Sequence, residues 1–592
     1  MKCIKRLKEH YNIIYVFLMT AIICLVDGQY FRLDSFAVKD EFSIMATAAY
    51  YAGMDWSDVV ANTSGWHGYG AVILLTPLFW FVSDGILMYK LCLLQCLIFR
   101  IATAIICYFL VSGDLELPPK YAFGIALVCD LSNLSPDDGN ALSALTEVPF
   151  NFFAVLIIFL SVKMLKTHKK NSYILSIIIG FLLVYMLTIH SRGIVYIGVY
   201  LVAMLIVSIK NRKHLVYYGV EWLTVFVSYF FYKIVNGNVI LDVYTSETMV
   251  GSVKNTAENT VSTGIDKLWR ILTNWDEFYA VIKTTIGLAG SFNAFSYGAV
   301  VAFTIVIIAY YVKVIRKREN YDETLFLITC VGMFGFWGMN FLLAIKNAYN
   351  VANGVSFLAY TYMRYAYPFA SVFLIGGIVC AYRKSISKNI IWLWMVLSVL
   401  ILKWYLTIPL KDIKNLNGGG FQYYSSIKSD FYLFLFVSFV VGAICVHLIR
   451  YKKIGLVMYI YIVIGLFYFQ ECFGIYENKA DKALDGTMPS VECVNIIEEQ
   501  FEEEMIYITF VGSKKYPQLL RILCPRSELK YINKENVSSI DFSNAVLFVD
   551  NEETAKSSGA DYAVSINSGV WLATDNEELL NVIEEYVALS VE

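Results

Sequence analysis

The chain has 592 residues, 58% of them hydrophobic and 16% charged, with a mean hydropathy of +0.58. A soluble domain sits near half apolar and a quarter charged, so this balance excludes an ordinary globular enzyme, a disordered chain and a disulfide scaffold. The formal charge of −2 conceals an asymmetry: beyond residue 480 there are 21 acidic and 8 basic residues, leaving the rest basic, a pattern that does not read as nucleic-acid binding.

Lys2, Lys5, Arg6 and Lys8 precede the first apolar run, Tyr11–Val26, and no small-x-small cleavage site follows it. The run therefore reads as a retained first span. Apolar segments then recur at 69–84, 86–111, 121–133, 141–163, 172–190, 192–209, 214–235, 297–313, 323–344, 360–382, 389–408, 430–449 and 454–472. Basic clusters lie at the N-terminus and at Lys163–Lys170, Lys210–Lys213, Lys313–Arg318, Arg383–Lys388 and Arg450–Lys453. The positive-inside rule places them in the cytoplasm. From residue 141 onward every segment then alternates without conflict. Between 69 and 133, three segments have to make an even number of crossings. Either 69–84 re-enters, or 121–133 is too short for a hydrocarbon core of about 30 Å.

The expected architecture is a polytopic α-helical membrane protein of about 13 transmembrane helices. A membrane domain spans 1–475, with external loops at 28–68 and 236–296. A small extracytoplasmic α/β domain fills 490–592, where β-rich runs (Met505–Phe510, Leu529–Ile532, Ala545–Val549, Tyr562–Ile566) alternate with helical patterns. The N-terminus is expected in the cytoplasm of a plasma membrane. The Lys/Ile/Asn-rich spans and short loops point to a bacterial one.

Asp40 and Glu41 open a helical stretch just beyond the first span. Adjacent carboxylates at a membrane face suit a general base, although acids also favour a helix's first turn through the macrodipole. His67, in Ser64-Gly65-Trp66-His67-Gly68-Tyr69-Gly70, reads as a phosphate or metal ligand, or as an interfacial polar cap. Glu147, in Glu147-Val148-Pro149, lies within an apolar run; it is a functional acid or a structural hydrogen-bonding group. The tight turn His190-Ser191-Arg192-Gly193 makes a compact anion site for a lipid phosphate, unless Arg192 only snorkels. Arg364-Tyr365 invites the same comparison. Lys267–Arg270 and Trp275–Tyr279 read as helix lying in the interface. No P-loop, CxxC, HExxH or dinucleotide fingerprint occurs, and pairing of Cys493 with Cys524 is left open.

A first span, an external loop opening on Asp40-Glu41, many further spans and an external tail together resemble the GT-C superfamily of membrane glycosyltransferases. The resemblance covers residues 10–410. It extends to Glu147-Val148-Pro149, His190-Ser191-Arg192-Gly193 and Arg364-Tyr365 with Pro368. Members of the superfamily include protein O-mannosyltransferases and the lipid A aminoarabinose transferase. The resemblance implies a polyprenyl-phosphate sugar donor, an extracytoplasmic acceptor (glycan, lipid or protein), Asp40 as base with Glu41 as its alternate, and Arg192, Arg364 and His190 on the phosphate. Some members need a divalent metal at the acidic residues and others do not; no other cofactor is implied. His67-Gly68-Tyr69-Gly70 departs from the His-Pro type stretch of many members, and the α/β tail is not shared across the superfamily. The rival readings are a polysaccharide polymerase or ligase using lipid-linked oligosaccharide, and a non-enzymatic flippase or transporter. The latter expects charges near span centres, such as Arg100.

Overall fold

A computed structural model describes residues 2–28, 31, 40–64, 68–131, 146–167, 170–244, 260–318, 320–354, 363–383, 388–405, 428–465 and 486–591 apart from 568. Apolar runs become helices here because backbone polar groups in hydrocarbon have to be satisfied within the segment. In chain order, α1 is Lys2–Asp27, α2 Asp40–Tyr51, α3 Ser57–Thr63, α4 Gly85–Phe109, α5 Pro119–Leu131, α6 Glu147–Lys166, α7 Lys170–Ile189 and α8 Gly193–Lys210. There follow α9 (Leu215–Tyr244), α10 (Thr260–Thr273), α11 (Trp275–Phe295), α12 (Ala299–Ile315), α13 (Glu323–Ala352), α14 (Tyr367–Arg383), α15 (Lys388–Tyr405) and α16 (Lys428–Arg450). Pro149 and Pro368 sit in the first turns of α6 and α14, where a missing N–H costs no helical bond.

Six helices among the described residues are long and apolar enough to cross a membrane, and five shorter apolar ones accompany them. The pair α11–α12 passes the same test together but is bent by 109°. Left-handed backbone at Tyr297 (φ 46°) and Gly298 (φ 82°) makes that break. Side chains brace the carbonyls on either side of it, which also accept backbone N–H groups. Ser438 donates to Ala294 O at 2.5 Å, Tyr461 to Ser296 O at 2.8 Å and Trp394 Nε1 to Gly298 O at 3.0 Å. Irregular backbone within a bundle survives only with such partners.

Segment 69–84 is not a spanning helix: it holds a 3₁₀ turn, Ile73–Leu75, and one helical turn, Thr76–Phe79. The stretch 236–296, expected as an external loop, is largely helix. α9 runs on to Tyr244 because Val239 and Val243 are buried and Tyr244 donates to Ser43 O of α2 at 2.7 Å. At one end of the bundle, Lys163 pairs with Asp114 (2.9 Å) and Arg383 with Asp322 (2.7 Å). The first loop and the C-terminal domain lie at the other.

The C-terminal domain opens with α17 (Met488–Gln500) and carries a five-stranded sheet. Its strands are β1 Met505–Ile508, β2 Leu529–Tyr531, β3 Ala545–Val549, β4 Tyr562–Asn567 and β5 Val570–Thr574, in spatial order β2-β1-β3-β5-β4. β1 pairs parallel with β2 and β3, while β5 pairs antiparallel with β3 and β4. α18 (Lys515–Leu523) connects β1 to β2, and α19 (Glu577–Val591) closes the chain. One continuous apolar core runs from Met19 in α1 through the bundle to Ile583 in α19.

Candidate functional site

The site is assembled where helices end. Asp40 and Glu41 form the first turn of α2, which favours acids because its N–H groups are unpaired. Asp40 is half-buried. Glu41 is 1% exposed and accepts a hydrogen bond from Tyr89 OH of α4 at 3.0 Å.

Glu147, the first residue of α6, forms an ion pair at 2.7 Å with Arg192 Nη2, and both side chains are about nine-tenths buried. Arg192 sits immediately before α8, in the turn closing the α7–α8 hairpin. His190 Nδ1 accepts from the Arg192 backbone N–H at 3.1 Å, so the imidazole fixes the turn itself. The Tyr365 ring lies 4.4 Å from the Arg192 guanidinium carbon, and Lys346 Nζ reaches Tyr365 OH at 3.4 Å. Arg192 Nε and Nη1 are buried and have no hydrogen-bond partner among the described residues. This guanidinium is thus held on one nitrogen and one face, with charged donors unspent. Such a group suits phosphate.

The two halves adjoin through α4. Tyr89 of α4 reaches Glu41, and α6, which opens on Glu147, packs along the same helix. Arg100 binds Asp27 at 3.0 Å and Asp130 at 3.1 Å, with all three side chains at most 3% exposed. The cation that a transporter reading would single out is therefore neutralised twice, tying the ends of α1 and α5 to the middle of α4. Tyr367, next to Pro368, lies within reach of this triad and of Glu147.

Of the residues singled out in the sequence, Glu147, His190, Arg192 and Tyr365 come together, and Asp40 with Glu41 lies across α4 from them. His67 and the Arg364 side chain lie outside the described residues. Gly68, with φ 93°, packs on the Ile189 backbone, where a Cβ would come within 2.2 Å of its carbonyl oxygen, and Gly70 N–H donates to Thr188 O at 2.9 Å. The first loop thereby ends against the Arg192 turn. Sequence reasoning missed Tyr89, Asp27, Asp130, Lys346 and Tyr367; Asp27 and Asp130 at the ends of apolar runs, opposite the mid-span Arg100, were the available signal. Among the described residues, no three His, Cys, Asp or Glu side chains converge to hold a metal ion.

No protein-family model matches the sequence, and no curated protein gives a significant match. Among solved structures, ArnT from Cupriavidus metallidurans bound to undecaprenyl phosphate is similar in fold, with a TM-score of 0.54 at 11% identity over 95% of this chain and 98% of that one. The apo structure of the same ArnT gives 0.49 at 11% identity over the same shares. The chain shares the fold of ArnT and has the long apolar helices of a multi-pass membrane protein.

Proposed function

We propose that this protein is a membrane glycosyltransferase that moves a sugar from a polyprenyl-phosphate donor to an acceptor on the extracytoplasmic face of a bacterial plasma membrane. The acceptor is a glycan, lipid or protein hydroxyl or amine. The observation carrying this reading is the buried Arg192 guanidinium, oriented by Glu147 and Tyr365, with Nε and Nη1 left to bind an anion. It lies at the end of the bundle that also carries Asp40 and Glu41. The ArnT neighbour holding undecaprenyl phosphate supports the same lipid class.

In this mechanism Asp40 takes the proton from the acceptor as its heteroatom attacks the anomeric carbon from the face opposite the phosphate. The bond from the anomeric carbon to the phosphate oxygen breaks, and polyprenyl phosphate leaves with the bonding pair. Arg192 stabilises the charge growing on that oxygen, joined by Arg364 as the family resemblance implies. Glu41, tied to Tyr89, fixes the first turn of α2 so that Asp40 faces the acceptor. Glu147 holds Arg192 against Tyr365 and so pre-organises the fork.

The test is release of polyprenyl phosphate by purified protein in nanodiscs, using a panel of polyprenyl-phosphate hexoses and aminopentoses with candidate acceptors. Asp40→Asn at matched folding should lower kcat by about 10²- to 10⁴-fold, the usual share of a general base. Turnover surviving that substitution would remove Asp40 from the role.

A further inference from the structure

The C-terminal domain has no part in the chemistry above, yet its contacts concentrate around the segment that carries the carboxylate pair. One route runs through Trp56, which is 1% exposed. Its ring stacks on Phe42, the residue after Glu41, at 5.4 Å and 10°. Its indole Nε1–H donates to Pro525 O, in the loop after α18, at 3.0 Å. Around this contact Arg521 donates to Asp55 O, Gln518 to Thr63 Oγ1 at 3.1 Å, and the Tyr531 N–H to Asp58 Oδ2 at 2.5 Å.

A second route runs through α4. Gly85 packs so closely on α18 that a Cβ there would fall 1.8 Å from Ile522 O. One turn further along α4 stands Tyr89, the residue whose hydroxyl holds Glu41. Arg526 secures the segment before α4, donating to Phe79 O and Trp80 O at 3.1 Å and to Val82 O at 3.3 Å. Two neighbours of Glu41, the adjacent Phe42 and the donor Tyr89, are thus each one step from a contact with the C-terminal domain.

From this arrangement we infer that the C-terminal domain is a positioning element for Asp40 and Glu41, acting through Trp56 on one side and Gly85 on the other. The inference rests on the role proposed above for that pair and assigns the domain a place in the same site. Trp56 and Gly85 are positioning residues: Trp56 acts through Phe42, and Gly85 through the base of α4 that carries Tyr89. A domain tethered only for acceptor capture would need no buried indole and no backbone-to-backbone fit at the base of α4. Nor would its apolar core be continuous with that of the bundle, as it is here.

The experiment uses the full chain in nanodiscs without ligand and compares wild type with Trp56→Phe, Gly85→Ala and Lys556→Ala. Trp56→Phe keeps an aromatic ring on Phe42 and deletes the donor to Pro525. Lys556 is an exposed cation paired with Glu552, away from the interface, and its substitution serves as the control. Two readouts are taken: amide hydrogen exchange across α2 and α8, and modification of Glu41 by a water-soluble carbodiimide followed by peptide mass spectrometry. In Trp56→Phe, α2 amides should exchange about five- to tenfold faster, the effect of losing one buried hydrogen bond. Glu41, shielded in wild type, should become modified, while α8 exchange holds. Gly85→Ala should act in the same direction, and Trp56→Phe carries the test alone if that variant does not fold. Lys556→Ala should match wild type. Unchanged α2 exchange and unmodified Glu41 in Trp56→Phe would overturn the inference, as would an equal rise in α2 and α8. Undecaprenyl phosphate titrated onto wild type tests the underlying functional reading separately, because the exchange comparison needs no ligand.

Discussion

Arg192 shows how little of a buried cation's behaviour is set by its own type. A snorkelling arginine and a phosphate-binding one look identical in sequence. What separates them is Glu147, 45 residues away, whose carboxylate takes Nη2 and leaves Nε and Nη1 inside the protein. Removing one partner of a buried ion pair leaves the other charge uncompensated, which typically costs about 3–5 kcal/mol. Glu147→Ala should therefore lower the unfolding midpoint in detergent well beyond a surface substitution. A double Glu147→Leu, Arg192→Leu variant should recover part of that loss, and recovery of none would mean that the pair is not the source. The cysteines make a second residue-scale test. Cys493 and Cys524, whose pairing the sequence left open, are both free and buried. Burial pushes each thiol up to about 12. Neither should react with maleimide at neutral pH until the protein unfolds; rapid labelling of the native protein would contradict their burial.

Among the elements, those with strong local signals were legible and those decided by distant partners were not. The long apolar runs of α6 to α8 and α13, and strands β1 to β4, were readable from hydropathy and spacing. β5 was missed: it pairs antiparallel with β4, and only two residues of sequence separate the strands. α9 outran its expected end because Asn236-Gly237-Asn238 looks like a breaker, and burial against α2 overrides that propensity. The carboxylate pair, the histidine turn and Glu147 were each visible as polar residues beside or within apolar runs. Their convergence was not, since it depends on contacts across 45 residues or more. α3 carries a pH-dependent contact of its own. Burial raises the Asp58 carboxyl above its ordinary value, against the opposing pull of the Tyr531 and Val59 N–H groups and of Arg521. Because the folded value is raised, its contribution is fully present below the unfolded value of about 3.9 and is lost as pH climbs through the folded one. Unfolding midpoints of wild type and Asp58→Ala, measured from about pH 4 to about pH 7, should show the wild type's relative stability falling with pH. A difference that grows with pH would mean that the hydrogen bonds outweigh desolvation.

At the scale of the molecule, the bundle and the α/β domain behave as one body around a site at the end opposite the Lys163–Asp114 and Arg383–Asp322 pairs. The first loop joins them: α2 presents Asp40 and Glu41, α3 meets the C-terminal domain, and Gly68 and Gly70 seat the loop's end on the Arg192 turn. This arrangement separates the two tasks of the proposed reaction, with the base on the loop and the phosphate on the bundle. Substitutions at Arg192 should then change lipid affinity with Asp40 still in place. The most direct measurement is equilibrium binding of undecaprenyl phosphate to wild type and Arg192→Gln in nanodiscs, at matched folding and constant ionic strength. Loss of charge-assisted hydrogen bonds worth about 1.5–3 kcal/mol predicts affinity about 10- to 100-fold weaker in the variant, with Asp40→Asn binding as wild type does. Equal affinity in wild type and Arg192→Gln, or no binding to either, would contradict the assignment of this site to a polyprenyl phosphate.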